Sequence, residues 1–307
     1  MLSYSKGVEI AHVKKDDKII KKIYINDVDN LNEDDKTDAN IRNDELLPRS
    51  FYTSLRFVTP ANMILLKRAI RTNNKSLIPD NKATTDAFES AMEIIKDQAS
   101  KNIKITDGKI QPAIPMRHYC LSVFGASGCG KSTFVGKWML EYKKKYKDRP
   151  IYVFSSITDD DAFKKAKVVY IKLDNSILSD PFMVSEFNNS LTVFDDLESL
   201  SNELFQAVNK FRDQMIETCR HHGTQVISIN HLIAGGHQTK RLHSEATHTV
   251  LYPRTNIAAI TKYCKNQYAM SNDDIKDLVA MGKTSRWVLI SRDYPSYVIS
   301  ENQVKVM

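Results

Sequence analysis

The stretch that decides the fold runs His118-Tyr119-Cys120-Leu121-Ser122-Val123-Phe124 and continues at once into Gly125-Ala126-Ser127-Gly128-Cys129-Gly130-Lys131-Ser132-Thr133. The first half is a short apolar run that reads as a β-strand, and a helical stretch follows the second half. Between them, residues 125–132 match G-x-x-x-x-G-K-[ST] in full, in the strand-loop-helix setting that a phosphate-binding loop requires. Glycines there let backbone N–H groups curl inward around phosphates, and the dipole of the following helix favours their negative charge. Gly125, Ser127, Gly128, Cys129, Gly130, Lys131, Ser132 and Thr133 are therefore the expected nucleotide-binding residues. Lys131 would reach the β and γ phosphates of ATP, and the Ser132 hydroxyl would ligate Mg²⁺.

Downstream, short apolar runs alternate with longer amphipathic stretches, the texture of a parallel sheet flanked by helices. Strands are expected at 151–154, 168–173, 191–194, 225–229 and 247–252, with further ones at 287–290 and 297–300. The run Leu191-Thr192-Val193-Phe194 ends in Asp195-Asp196-Leu197-Glu198. A carboxylate at such a strand tip suits Mg²⁺, and the next acid suits the attacking water, so Asp195 is assigned to the metal and Asp196 to the water. Glu198 is the reserve candidate for the base. The strand at 225–229 leads into Asn230-His231 at the same edge, where one side chain can sense the γ-phosphate; Asn230 is the first choice and His231 the second. The helix from about 200 to 221 ends in Arg220-His221-His222, whose cations either complement the helix dipole or supply an arginine finger from Arg220 to a neighbouring subunit.

Composition narrows the class. Apolar residues make up 42% of the 307 and charged residues 26%, a mix that excludes collagen-like, coiled-coil and wholly disordered chains. The net charge is +7, and because the first fifty residues hold 9 Lys plus Arg against 11 Asp plus Glu, the remainder carries +7 − (−2) = +9. That excess suits a polyanionic partner such as nucleic acid, although equally basic chains exist that bind none. Cys120, Cys129, Cys219 and Cys264 form neither a CxxC pair nor a disulfide framework, which fits a reducing, intracellular setting. No run approaches the roughly 18 apolar residues of a membrane span, so no membrane partner is expected. Six histidines between 221 and 248 lack the pairing of a metal motif.

Two units are expected: an α+β region over 1–110, with an acidic mobile linker near 25–49, and a P-loop domain over 111–307. Within the first, apolar spacing predicts two helices between 60 and 100, and Asp107-Gly108 predicts a tight hairpin across 103–114. Lys143 to Lys147 read as a solvated helix end, and Ile233 to His243, with two glycines before Lys240 and Arg241, as an ordinary surface loop or a mobile basic loop facing a phosphate backbone.

Taken together, GASGCGKST, FDDLE, the helix ending in RHHGTQVISINHL and the later Ser285-Arg286-Trp287 resemble the poxvirus-type genome-packaging ATPases of large DNA viruses and virophages, within the FtsK/HerA superfamily. The resemblance covers roughly 116–299. It implies a RecA-like P-loop NTPase, an α/β fold with a mostly parallel central sheet. It further implies an Mg²⁺-dependent ATPase that drives double-stranded DNA, as a homo-oligomeric ring, into a capsid through capsid or portal proteins. The setting would be the host cytoplasm or viral factory, and the virion. The chain departs from that family in Asp195-Asp196, where Asp-Glu is common, and in Asn230-His231, where Gln is frequent. A nucleoside or nucleotide kinase, or another P-loop ATPase such as a helicase, is the alternative; neither an Asn-Lys-x-Asp guanine motif nor an LSGGQ signature occurs.

Overall fold

A computed structural model describes residues 1–26, 41–48, 50–233 and 236–307, so most of the acidic stretch expected as a linker lies outside the described residues. Strands β1 (Leu2–Ser3), β2 (Val8–Lys15) and β3 (Lys18–Ile25) open the chain. Helices α1 (Asn43–Leu46), α2 (Phe51–Ser54), α3 (Pro60–Thr72) and α4 (Lys82–Ala99) follow. Both long helices expected between 60 and 100 are present, each started by a side-chain cap: Thr59 accepts from the Asn62 N–H, and Asn81 from those of Ala83 and Thr84. They close a core of their own around Leu66, Ala69, Ile70, Ala87, Phe88, Ala91 and Ile95. Ile41, Leu46 and Leu47 are buried in it, because their apolar side chains gain more from that core than from water.

Next come β4 (Asn102–Lys104) and β5 (Lys109–Pro112), then β6 (Cys120–Phe124), α5 (Lys131–Lys145), β7 (Ile151–Ser155), β8 (Val169–Lys172), α6 (Ser176–Ser179) and β9 (Leu191–Phe194). The chain continues through α7 (Asn202–Thr218), β10 (Gln225–Asn230), α8 (His237–Glu245), β11 (His248–Leu251), α9 (Ile257–Tyr268), α10 (Asn272–Thr284), β12 (Val288–Ser291), β13 (Tyr297–Ser300) and β14 (Gln303–Val306). Ten strands form one sheet in the order β4-β14-β13-β12-β11-β6-β10-β9-β7-β8. From β11 to β8 the six strands run parallel, and β12, β13, β14 and β4 add an antiparallel wing.

Both faces of the sheet are covered, as buried parallel strands require. Leu121, Val123, Val193, Ile227 and Ile229 face the side of α5, packing with Val135, Trp138, Met139 and Tyr142. Cys120, Phe124, Phe194 and Val226 face the other side with α7, α9 and α10. The small antiparallel sheet β1-β3-β2-β5 joins the α5 side, where Ile10, Ala11, Val13 and Ile23 share that core and Lys14 Nζ meets Glu141 Oε1 at 2.7 Å.

Two local expectations are corrected. The chain bends at 106–108, where Gly108 takes φ +79°, but β4 and β5 do not pair: β4 adds to β14 in the large sheet, and β5 to β2 in the small one. Each strand finds an open edge elsewhere, and a two-stranded hairpin on its own is marginal. Nor is the segment 233–243 a loop throughout. From His237 it is α8, because Leu242 is fully buried and Arg241 pairs with Glu217 of α7 at 2.9 Å.

Candidate active site

The C-terminal ends of the parallel strands converge at one edge. β6 runs straight into the glycine loop, and the Gly125 N–H donates to Asn230 O of the neighbouring β10 at 3.2 Å. Gly130 stands at the N-cap of α5 with φ +104°, and Gly128 has φ +76°, a region closed to most side chains. Open space surrounds Gly128: a Cβ built there would meet no atom within 4 Å. Gly125 is required for the opposite reason, since a Cβ would lie 2.8 Å from the Tyr252 ring and 2.6 Å from Cys129 Sγ. A backbone cradle open to solvent at the N-terminus of a 15-residue helix is a ready anion site. Ser127, Gly128 and Thr133 are exposed in it, and Cys129 and Ser132 are half-buried.

Lys131 is buried at the first position of α5, and its ammonium has three partners. It donates to Gly125 O at 2.8 Å and Ala126 O at 3.1 Å, and it lies 3.3 Å from His231 Nδ1. An ammonium can only donate, so Nδ1 accepts and the imidazole hydrogen sits on Nε2. Nε2 in turn meets Asp196 Oδ1 at 3.1 Å, and the His231 backbone N–H donates to Glu198 Oε1 at 3.2 Å. One chain of contacts thus joins the P-loop lysine to the acids beyond β9.

The backbone explains how those acids arrive there. The Asp195 N–H donates to Phe154 O at 3.0 Å, continuing the β9–β7 ladder by one residue. Asp196 then takes a left-handed conformation, φ 57° and ψ 31°, which turns the chain so that Leu197 is buried while the carboxylate reaches His231. Aspartate tolerates that region better than most residues. Asp195 stays at the strand tip, where burial first and the Asp196 carboxylate second push its carboxyl up to about 7. A carboxyl so destabilised as an anion calls for a cation, and its oxygens and the half-buried Ser132 hydroxyl are of the hard oxygen type that suits Mg²⁺. Asp196, Glu198 and His231 also lie close, their ligand atoms within 4.8 Å of one another, but the Lys131 ammonium already faces that group.

Not every expected residue joins the site. The Asn230 side chain is buried and turned back on its own strand, its amide donating to Ser228 O and Ser228 Oγ at 3.2 Å each. Arg220 lies in the helical turn Cys219–His222 before β10, whereas the P-loop lies beyond the other end of that strand. Six residues of strand separate the two edges, about 20 Å at the usual rise. Arg220 is exposed, its side chain meeting His221 Nε2 at 3.4 Å. Tyr252, at the exit of β11, was not singled out by sequence: it is buried beneath the loop against Gly125 and Gly130, and its hydroxyl has no partner among the described residues. Only its place at the ligand edge of a predicted strand hinted at it. The lysines of 143–145 end α5, where Lys143 donates to Arg149 O and Lys145 to Ile114 O at 2.7 Å, so they satisfy chain carbonyls near the helix end.

The strand order places β10 between the P-loop strand β6 and the acid-tipped strand β9, with β11 on the other flank. This is the arrangement of a RecA-like P-loop NTPase. No protein-family model matches the chain. Uncharacterized protein V3 of Sputnik virophage is 25% identical to it over 241 residues, 76% of this chain and 97% of that protein. Among solved structures, the DNA-packaging ATPase B204 of Sulfolobus Turreted Icosahedral Virus overlays with a TM-score of 0.43 at 10% identity, covering 62% of this chain and 97% of B204. The pCW3 conjugation coupling protein TcpA overlays with a TM-score of 0.41 at 10% identity, covering 67% of this chain and 66% of TcpA. The relative and the first of these neighbours are viral. Among the described residues no helix is long and apolar enough to cross a membrane.

Proposed function

We propose that the chain is an ATPase that drives double-stranded DNA, working as a homo-oligomeric ring in viral genome packaging. The observation that carries the ATPase half is the contact chain Lys131, His231, Asp196 at the phosphate edge. In this arrangement Lys131 is held on loop carbonyls and His231, and Asp196 is held by His231. When phosphates enter the cradle, the Lys131 ammonium exchanges these acceptors for phosphate oxygens, which are anionic and bind it more strongly. His231 Nδ1 is then released, and its link to Asp196 changes with it. Asp196, with Glu198 beside it, orients the attacking water and takes its proton. Ser132 and Asp195 would hold Mg²⁺, which would supply positive charge against the phosphates.

The DNA half rests on other features. Beyond residue 50 the chain carries +9, and its motif run resembles that of packaging ATPases. Arg220 is exposed at the sheet edge opposite its own phosphate site, a placement that suits service to a neighbouring subunit in a ring. Capsid or portal proteins are the docking partners this reading implies, in the infected cell and the virion.

Steady-state ATP hydrolysis with and without duplex DNA tests the reading, alongside phosphate transfer to nucleoside acceptors. Mg²⁺-dependent hydrolysis that duplex DNA stimulates is the expected result. Turnover indifferent to duplex, together with phosphorylation of an acceptor, would establish a kinase instead.

A further inference from the structure

On the proposed reading the γ-phosphate lies at the Lys131 ammonium, which meets His231 at the end of β10, and beside Asp195 at the tip of β9. A nucleotide lying along the loop therefore carries its base away from those acids, past the first turn of α5 and toward the flank of β11 and β12. The side chains waiting there come from the Ser285-Arg286-Trp287 run, which the chemistry above leaves unused.

Trp287 stands at the entry to β12 on the α5 side of the sheet, half-buried. Its ring packs edge to face on Phe134, with centroids 4.9 Å apart, and Phe134 is one turn along α5 from Lys131. Trp287 keeps part of its surface in solvent, and its indole N–H meets no acceptor among the described residues. The backbone beneath it is pinned at several points. Ser285, fully buried, donates its hydroxyl to Trp287 O at 2.6 Å and accepts from the Glu301 N–H at 3.1 Å. Glu301 Oε2 accepts from the Arg286 N–H at 3.2 Å. From the other side, the Arg254 guanidinium donates to Gly282 O at 2.7 Å and Lys283 O at 2.8 Å, fastening the exit of β11 to the end of α10.

An aromatic on a pinned backbone, partly exposed and packed on a residue one helical turn from the phosphate lysine is what a base-stacking platform needs, because order imposed by the fold is not lost again on binding. We propose that Trp287 holds the base of the bound nucleotide, stacked on the open part of its indole beside the first turn of α5. This rests on the P-loop binding a nucleoside triphosphate and deepens that reading. Stacking tolerates any base but grows with ring area, so the site favours purine over pyrimidine triphosphates.

Calorimetric titration of the full chain with ATP and with inorganic tripolyphosphate tests the assignment. Trp287→Ala is expected to raise the Kd for ATP roughly tenfold while leaving that for tripolyphosphate within about twofold, and Trp287→Phe to keep most of the ATP affinity. A folded Trp287→Ala protein with wild-type ATP affinity overturns the proposal. So does an equal loss for both ligands, which would make Trp287 a support of the loop. If the wild type binds neither ligand, the triphosphate reading itself falls and the base site with it. Should Trp287→Ala not fold, acrylamide quenching of the wild type decides the matter. Trp138, the other tryptophan, is 3% exposed and donates to Tyr119, so quenching reports Trp287. ATP should shield the indole and tripolyphosphate should not, and quenching unaltered by saturating ATP overturns the proposal.

Discussion

The two ends of strand β10 carry polar residues of opposite kinds. At its C-terminal end His231 is engaged within the subunit, between Lys131 and Asp196. At its N-terminal approach Arg220 is exposed, its Nε meeting the adjacent His221. The first end is wired into the fold's own phosphate site, while the second presents a permanent cation that this site cannot reach. On the proposed reading, the first end serves the subunit's own chemistry and the second a neighbour's.

The largest effect that bears on this comparison is loss of the lysine at the engaged end. Lys131→Ala should lower kcat on the order of a thousandfold, because the developing phosphate charge loses its principal cation; near-wild-type turnover would break the reading at its base. A second measurement separates the two side chains at that end. His231→Ala should cut kcat roughly tenfold to a hundredfold. Asn230→Ala should cost less in rate and show its effect in thermal unfolding, since losing the bonds to Ser228 removes about 1 kcal/mol, or roughly 2–4 °C in Tm. The reverse ranking would return the phosphate contact to Asn230. The smallest signal belongs to the exposed end. Mixing Arg220→Ala with Asp196→Ala subunits should restore part of the hydrolysis that each lacks alone, read as activity against mixing ratio. Absence of rescue at every ratio, with assemblies intact, would confine Arg220 to its own surface.

Much of this was legible in the sequence because it is local. The glycines, Lys131 and Ser132 sit within one contiguous loop, so their spacing alone specifies the cradle. The central parallel strands read clearly because they are buried on both faces and carry continuous apolar runs, as in Leu191 to Phe194. The antiparallel wing was less legible. β14 is only four residues long and half-buried in alternation, and β4 and β5 were separated by partners far away in the chain. Residues 237–245 resisted reading because two glycines and a cationic run mask a helix whose burial depends on α7.

By itself, then, the sequence determined the glycine loop, the order along the chain of the parallel strands around it, and the acidic run that follows β9. Only the tertiary structure decided that β10 enters the sheet between β6 and β9, that His231 rather than the Asn230 side chain meets Lys131, and that Trp287 stands beside α5. The physical reason is that a side chain at a strand's end can point to either face of the sheet or fold back along it. Spacing along the chain fixes which edge such a residue reaches, and the packing of neighbouring strands and helices fixes what it touches there.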